Sequence, residues 1–135
     1  FLVAQGYTVG KSLLEQDRVE DATRLMKMAE KKGVELLLPT DVLVAKEVTR
    51  GAEHKVVPVK KIPNSWSAVD IGPDTREAFE AALADCMTVV WNGPMGVFEV
   101  PTFVDGTRGM ARMLDDSVDA GASVVVGGGD SVAAI

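Results

Sequence analysis

The chain reads as an α/β protein with a three-layer α/β/α, Rossmann-like architecture around a mostly parallel sheet. Two observations predict it. Apolar runs of strand length alternate with helical patterns of about 10–16 residues, the signature of crossover units. Three of the strand-like runs also empty into turns rich in glycine or proline, the kind of loop that lines the carboxyl ends of strands in open parallel sheets. The composition agrees: 135 residues, 47% hydrophobic and 25% charged, suffice for one domain with its own core. Neither a repeat nor a low-complexity linker divides it, so residues 1–135 read as one unit. Its apolar opening and its stop about one turn into a helix predict a unit incomplete at both ends, cut from a longer domain.

The elements follow in order. Ser12 and Glu15 have capping-box spacing, ahead of a helix from about Asp17 to Lys32. Val19, Ala22, Leu25, Met26 and Ala29 share one face of that helix, and Gly33 suits the residue beyond its end. Val34–Leu38 reads as a strand stopped by Pro39, and Val42–Ala45 as a second strand. Lys55–Val59 is extended, with Pro58 favouring an edge. Trp66 is a packing anchor in the following loop. Ala68–Ile71 is a strand, and Asp74 with Glu77 repeats the capping spacing before a helix burying Ala78, Phe79, Ala82 and Leu83. Thr88–Trp91 is the next strand. Pro101 opens a helix to about Ala120, with Phe103, Met110, Met113 and Leu114 inward and Gly121 closing it. Val124–Val126 then reads as a buried strand, followed by Gly127-Gly128-Gly129, the cap types Asp130 and Ser131, and the helical run Val132–Ile135.

Charge and residue types exclude several functions. A net charge of −6 argues against a nucleic-acid partner, which needs a basic face. No apolar run approaches the ~20 residues of a membrane helix, and Phe1–Gly6 lacks the basic flank of a signal peptide. One cysteine, Cys86, excludes an internal disulfide and reads as a small core filler. One histidine, His54, reads as solvated and excludes a Ser-His-Asp triad within the chain. There is no histidine–cysteine cluster for zinc.

Two loops carry the chemistry that remains. In Gly127–Ser131 a strand turns through glycines into a helix start. Free backbone N–H groups and the helix dipole make such a turn a seat for phosphate; a tight turn needing glycine for its dihedrals is the plainer reading. The stretch is not a Walker A loop, having no Lys-Ser/Thr, and it matches only the first two glycines of Gly-x-Gly-x-x-Gly. Asp130 either caps the helix or holds a magnesium ion that bridges phosphates. In Asn92–Glu99, Gly93, Pro94 and Gly96 shape a rigid slot, Val97 and Phe98 give it apolar walls, and Glu99 offers a carboxylate to hydroxyls. A plain connection, with Phe98 capping the core and Glu99 solvated, is the other reading. The two loops share a crevice if their strands are neighbours.

Trp91-Asn92-Gly93-Pro94-Met95-Gly96-Val97-Phe98-Glu99 and Gly127-Gly128-Gly129-Asp130-Ser131 together resemble the phosphoglycerate kinase family. Ala4-Gln5-Gly6, Leu37-Leu38-Pro39-Thr40-Asp41 and Val69-Asp70-Ile71-Gly72-Pro73 fit the same family in order and spacing, so the similarity spans essentially the whole chain. The resemblance implies a two-domain, monomeric kinase of glycolysis or carbon fixation. Such an enzyme moves a phosphoryl group reversibly between 1,3-bisphosphoglycerate and ADP, giving 3-phosphoglycerate and ATP, with Mg2+. It implies that residues 1–135 are the central part of the C-terminal, nucleotide-binding domain. An N-terminal domain would hold the phosphoglycerate, and the stretch alone would be inactive. The implied location is the cytoplasm, with plastid stroma as the alternative.

Carried onto this sequence, the resemblance has Ala68, Val69 and Val97 bordering adenine, Ala68 standing where many members have glycine. Asn92, Gly93 and Gly96 shape the loop near ribose and phosphates, with Phe98 beside them in the nucleotide site, and Glu99 bonds the ribose hydroxyls. Gly127, Gly128 and Gly129 lend amides to the phosphates, Asp130 takes the magnesium and Ser131 meets a phosphate oxygen. The competing readings are a non-catalytic α/β nucleotide- or phosphate-binding module and a structural remnant that binds nothing.

Overall fold

The structure is a computed structural model that describes residues 1–134, so the predicted run Val132–Ile135 ends outside the described residues at Ile135. Its strands are β1 (Asp41–Ala45), β2 (His54–Pro58), β3 (Ser67–Ile71), β4 (Thr88–Asn92) and β5 (Ser123–Gly127). Its α-helices are α1 (Val19–Lys32), α2 (Pro73–Leu83), α3 (Asp105–Asp119) and α4 (Gly129–Ala133). The α/β class holds, but the strands form two sheets. One is three-stranded in the order β2-β1-β3, and the other pairs β4 with β5.

The three-stranded sheet is antiparallel throughout. The reason is local. No α-helix separates β1, β2 and β3, and the 3₁₀ turn Val59–Lys61 between β2 and β3 is too short a crossover to bring them parallel. β4-α3-β5 does have one, and β4 and β5 are parallel, with Asn92 opposite Gly127. β2 lies at an edge, with Pro58 at its end opposite Asp41, as its proline predicts.

Several local expectations are corrected. Val34–Leu38 forms no strand: among the described residues none pairs with it, and its backbone lacks the ladder that an extended apolar run needs. Ser12 and Glu15 form no capping box. The Ser12 hydroxyl instead accepts the N–H of Ala68 at 2.8 Å, α1 starts at Val19, and a short 3₁₀ turn (Gln16–Arg18) precedes it. Gly33 does end α1 in the left-handed region, at φ 64°. Of the face expected to be inward on α1, only Ala22 is buried.

Asp74 and Glu77 likewise make no side-chain cap. The cap of α2 arrives from β1, where the buried Asp41 carboxylate accepts the N–H of Asp74 at 3.2 Å and of Thr75 at 2.8 Å. The Thr75 hydroxyl donates to the same carboxylate at 2.7 Å, while Gly72 leaves no room for a Cβ beside it. On α2 Phe79 and Leu83 are half-buried, but Ala78 and Ala82 are exposed. Pro101 opens a 3₁₀ turn to Phe103, not the helix, and α3 begins only at Asp105. Gly121 then closes the turn after α3 at φ 97°. β5 is not fully buried. Val124 and Val126 face the core, whereas Val125 is 57% exposed on the other side of the pleat.

The core has three parts. Val42, Val44, Val59, Ile62 and Trp66 pack under the hairpin, confirming Trp66 as an anchor. Ala45, Val69 and Phe103 form a second group that Val97 and Val100 join, and Trp91, Met110 and Leu114 a third that includes Met95, Val124 and Val126. Cys86 is half-buried with its thiol toward the Ala82 carbonyl, and exposed His54 is tied to the Ala52 carbonyl at 2.8 Å.

Candidate functional site

Parallel pairing of β4 and β5 places the segments that follow them side by side, at the carboxyl ends of both strands. Asn92–Glu99 leaves β4 and Gly127–Ser131 leaves β5. Two contacts join them. The Ser131 hydroxyl, fully buried, accepts the N–H of Gly93 at 2.6 Å. The Asn92 side-chain carbonyl lies so close to Gly128 that a Cβ on Gly128 would sit 3.0 Å from it. Gly128 has φ 87°, which glycine adopts without the steric cost other residues meet. It is the N-cap of α4, and Asp130 lies inside the first turn, so the cap role expected of Asp130 belongs to Gly128. Asp130 is exposed and makes no side-chain hydrogen bond among the described residues.

The Asn92–Glu99 segment is pinned at two further points. Met95 N–H donates to the hydroxyl of Thr107 at 3.1 Å, and Val97 N–H donates to the Val69 carbonyl at 2.8 Å. The second bond carries the loop across to β3 in the other sheet. Val97 therefore sits beside Val69, the residue that follows Ala68 on β3. Gly93, at φ 118°, and Gly96 serve different ends: the first allows the turn out of β4, the second lets the backbone pass over Val69 and Asp70 with no space for a Cβ. On the same segment Phe98 is half-buried and Glu99 exposed, and Phe98 lines a groove shared with Ala133 of α4 and with Ala134 just beyond it.

Residue type alone did not single out Asp70, Thr107 or Asp41. Asp70 is 5% exposed on β3; its carboxylate accepts Gly106 N–H at 2.7 Å and Ile71 N–H at 2.9 Å. Burial pushes its pKa up to about 6, against the lowering influence of those two N–H groups and of Arg76; Asp105 raises it further. The signal available was a carboxylate between Val69 and Ile71 in an apolar strand, which demands donors from elsewhere in the fold.

A metal at this site fits one pattern only. Among the described residues no three His, Cys, Asp or Glu side chains cluster to hold an ion. Asp130 offers a single exposed carboxylate in the first turn of α4, which suits magnesium, an ion commonly held by one or two carboxylates plus phosphates and water.

The fold defines the chain as a Rossmann-like α/β unit, with the loops after β4 and β5 joined at the carboxyl ends of that parallel pair. The family model for phosphoglycerate kinase matches residues 1–135. A phosphoglycerate kinase of Synechococcus is 51% identical over 135 residues, and a cytosolic phosphoglycerate kinase of Nicotiana tabacum is 50% identical. Each alignment covers 100% of this chain but 33% and 34% of the relative. Among solved structures, phosphoglycerate kinase from Coxiella burnetii superposes with a TM-score of 0.94 at 41% identity, over 98% of this chain and 34% of the other. The chain belongs to the phosphoglycerate kinase family and spans about a third of the length of these relatives.

Proposed function

We propose that the protein containing this chain catalyses reversible phosphoryl transfer between 1,3-bisphosphoglycerate and ADP, and that residues 1–135 form part of its C-terminal, nucleotide-binding domain. The observation that carries the reading is the junction of the two loops, made by the Ser131–Gly93 hydrogen bond across a parallel strand pair. It supports one continuous cleft. In that cleft Gly127, Gly128 and Gly129 face the phosphates with their amides, Asn92, Gly93 and Gly96 line the middle, and Glu99 bonds the ribose. Ala68, Val69, Val97 and Phe98 surround the base. Ser131 serves the cleft through the loop, since its hydroxyl is buried against Gly93.

Phosphoryl transfer asks for positioning and charge stabilisation, with no covalent partner from the protein. The chain's residues are suited to the first task. Its backbone amides bind an anionic tail and its pinned loop fixes the sugar, so the reacting phosphate is presented at one place. Asp130 would hold magnesium, which would supply charge neutralisation when bound. The phosphoglycerate belongs to an N-terminal domain, and the full-length protein is a monomer without nucleic-acid partners. No described helix is long and apolar enough to cross a membrane. A named relative is cytosolic, and by that likeness we place the protein in the cytoplasm. Exposed Val90 (69%) and Val125, on the far face of β4 and β5, support the reading of a partial domain whose remaining layers cover that face.

The test is a coupled assay of the full-length protein with ADP, 1,3-bisphosphoglycerate and magnesium, beside its Asp130→Ala variant. Transfer by the parent, and its loss in the variant by tenfold or more (an order-of-magnitude expectation), is the expected result. A parent that binds nucleotide yet transfers nothing would favour a non-catalytic module.

A further inference from the structure

The loop pinned at Met95 and Val97 leans on one structural feature that the nucleotide reading leaves without a role: the first turn of α3 with its facing carboxylate on β3. Thr107 is completely buried, and its hydroxyl accepts the Met95 N–H. One residue earlier, Gly106 gives its N–H to Asp70. Asp70 in turn is enclosed by two glycines, Gly96 from the loop and Gly106 from the helix, at both of which a Cβ would collide with it. Beside this cage the loop makes its bond to the Val69 carbonyl. Helix, strand and loop therefore meet around two polar side chains that are both buried.

We propose that Thr107 and Asp70 are positioning residues for the nucleotide, holding the Asn92–Glu99 loop in its binding geometry before the ligand arrives. The inference rests on the reading of that loop as a nucleotide site. Its physical content is preorganisation. A loop with Met95 and Gly96 held by buried groups is populated in one conformation, and a ligand that needs this conformation avoids the cost of selecting it. When the competent fraction falls, the apparent dissociation constant rises in proportion. Removing the Thr107 hydroxyl leaves the half-buried Met95 N–H without its acceptor, a loss large enough to reduce that fraction about tenfold.

The test uses the full-length protein. Thr107→Val keeps the shape and removes the acceptor, whereas Thr107→Ser keeps the acceptor. The valine variant is expected to bind ADP about tenfold more weakly, and the serine variant to restore affinity to within about twofold. The KM for the phosphoglycerate substrate and kcat at saturating ADP are expected to stay within about twofold of the parent, a split that general loss of structure does not produce. Asp70→Asn, which turns an acceptor oxygen into a donor facing Gly106 or Ile71, is expected to weaken ADP binding in the same direction. Unchanged ADP affinity in a folded Thr107→Val variant, or no rescue by serine, overturns the inference. If the valine variant does not fold, amide exchange at Met95 in the parent decides: strong protection without ligand supports it, and rapid exchange overturns it. A parent that binds no ADP removes the nucleotide reading itself, and the inference falls with it.

Discussion

Ser131→Ala is the sharpest single perturbation of this cleft. The Ser131 hydroxyl has no exposed surface, and it accepts the Gly93 N–H at 2.6 Å. Alanine removes that acceptor and leaves no other protein group in its place. A buried donor left unsatisfied costs about 1–3 kcal/mol. The penalty falls on the contact that joins the two loops, so it loosens the loop after β4 relative to the turn after β5. Amide exchange at Gly93 in the full-length protein is therefore expected to accelerate by roughly 5- to 150-fold. ADP affinity, measured by calorimetry, should fall with it, while exchange in the β1–β2 hairpin stays as it was, because that hairpin shares no bond with Ser131. Unchanged protection at Gly93 together with unchanged ADP affinity would refute the argument that this hydroxyl couples the two loops.

Three further outcomes are expected. Asp41→Ala removes the acceptor of two α2 N–H groups and of the Thr75 hydroxyl, and should cost about 2–4 kcal/mol by denaturant unfolding, with exchange at Asp74 and Thr75 rising first; a change below 0.5 kcal/mol, the usual range for a surface site, would contradict the cap. Asp70, with its pKa raised from 3.8 to about 6 chiefly by burial, holds a proton in the folded state that the unfolded chain has already released. Stability from this group therefore declines as pH rises from 3.8 to about 6 and is level above that range; Asp70→Asn should abolish the decline, and identical pH profiles of the unfolding midpoint would rule it out. Asp130→Ala should raise the magnesium concentration needed for half-maximal ADP binding, and coincident magnesium titrations of variant and parent would remove Asp130 from the metal site.

Much of this was readable from residue pattern. Period and turn signals located all five strands and three of the four helices to within a few residues, and Gly33, Gly121 and Pro58 sit where their backbone preferences place them. Failures were of one physical kind. Short capping signals at Ser12 and Asp74 lost to partners far along the chain, Ala68 for the first and Asp41 for the second. Val34–Leu38 has a strand's composition, but an extended run becomes a strand only when another edge pairs with it, and local sequence is blind to edges. Sheet direction differs likewise at β1–β3, which pair antiparallel because no α-helix lies between them to carry the chain back. At the site the glycine turn and the loop after β4 stood out because glycine and proline mark backbone needs. Thr107 and Asp70 did not, since a helical threonine and a strand aspartate gain meaning only from the loop they meet.

Hydrogen exchange of the full-length protein with and without ADP and magnesium addresses the central claim most directly. Peptides covering residues 92–99 and 127–131 are expected to gain protection together and at the same ADP concentration, because one ligand spans both loops. Protection confined to one of the two, or appearing only elsewhere in the protein, would contradict a shared cleft.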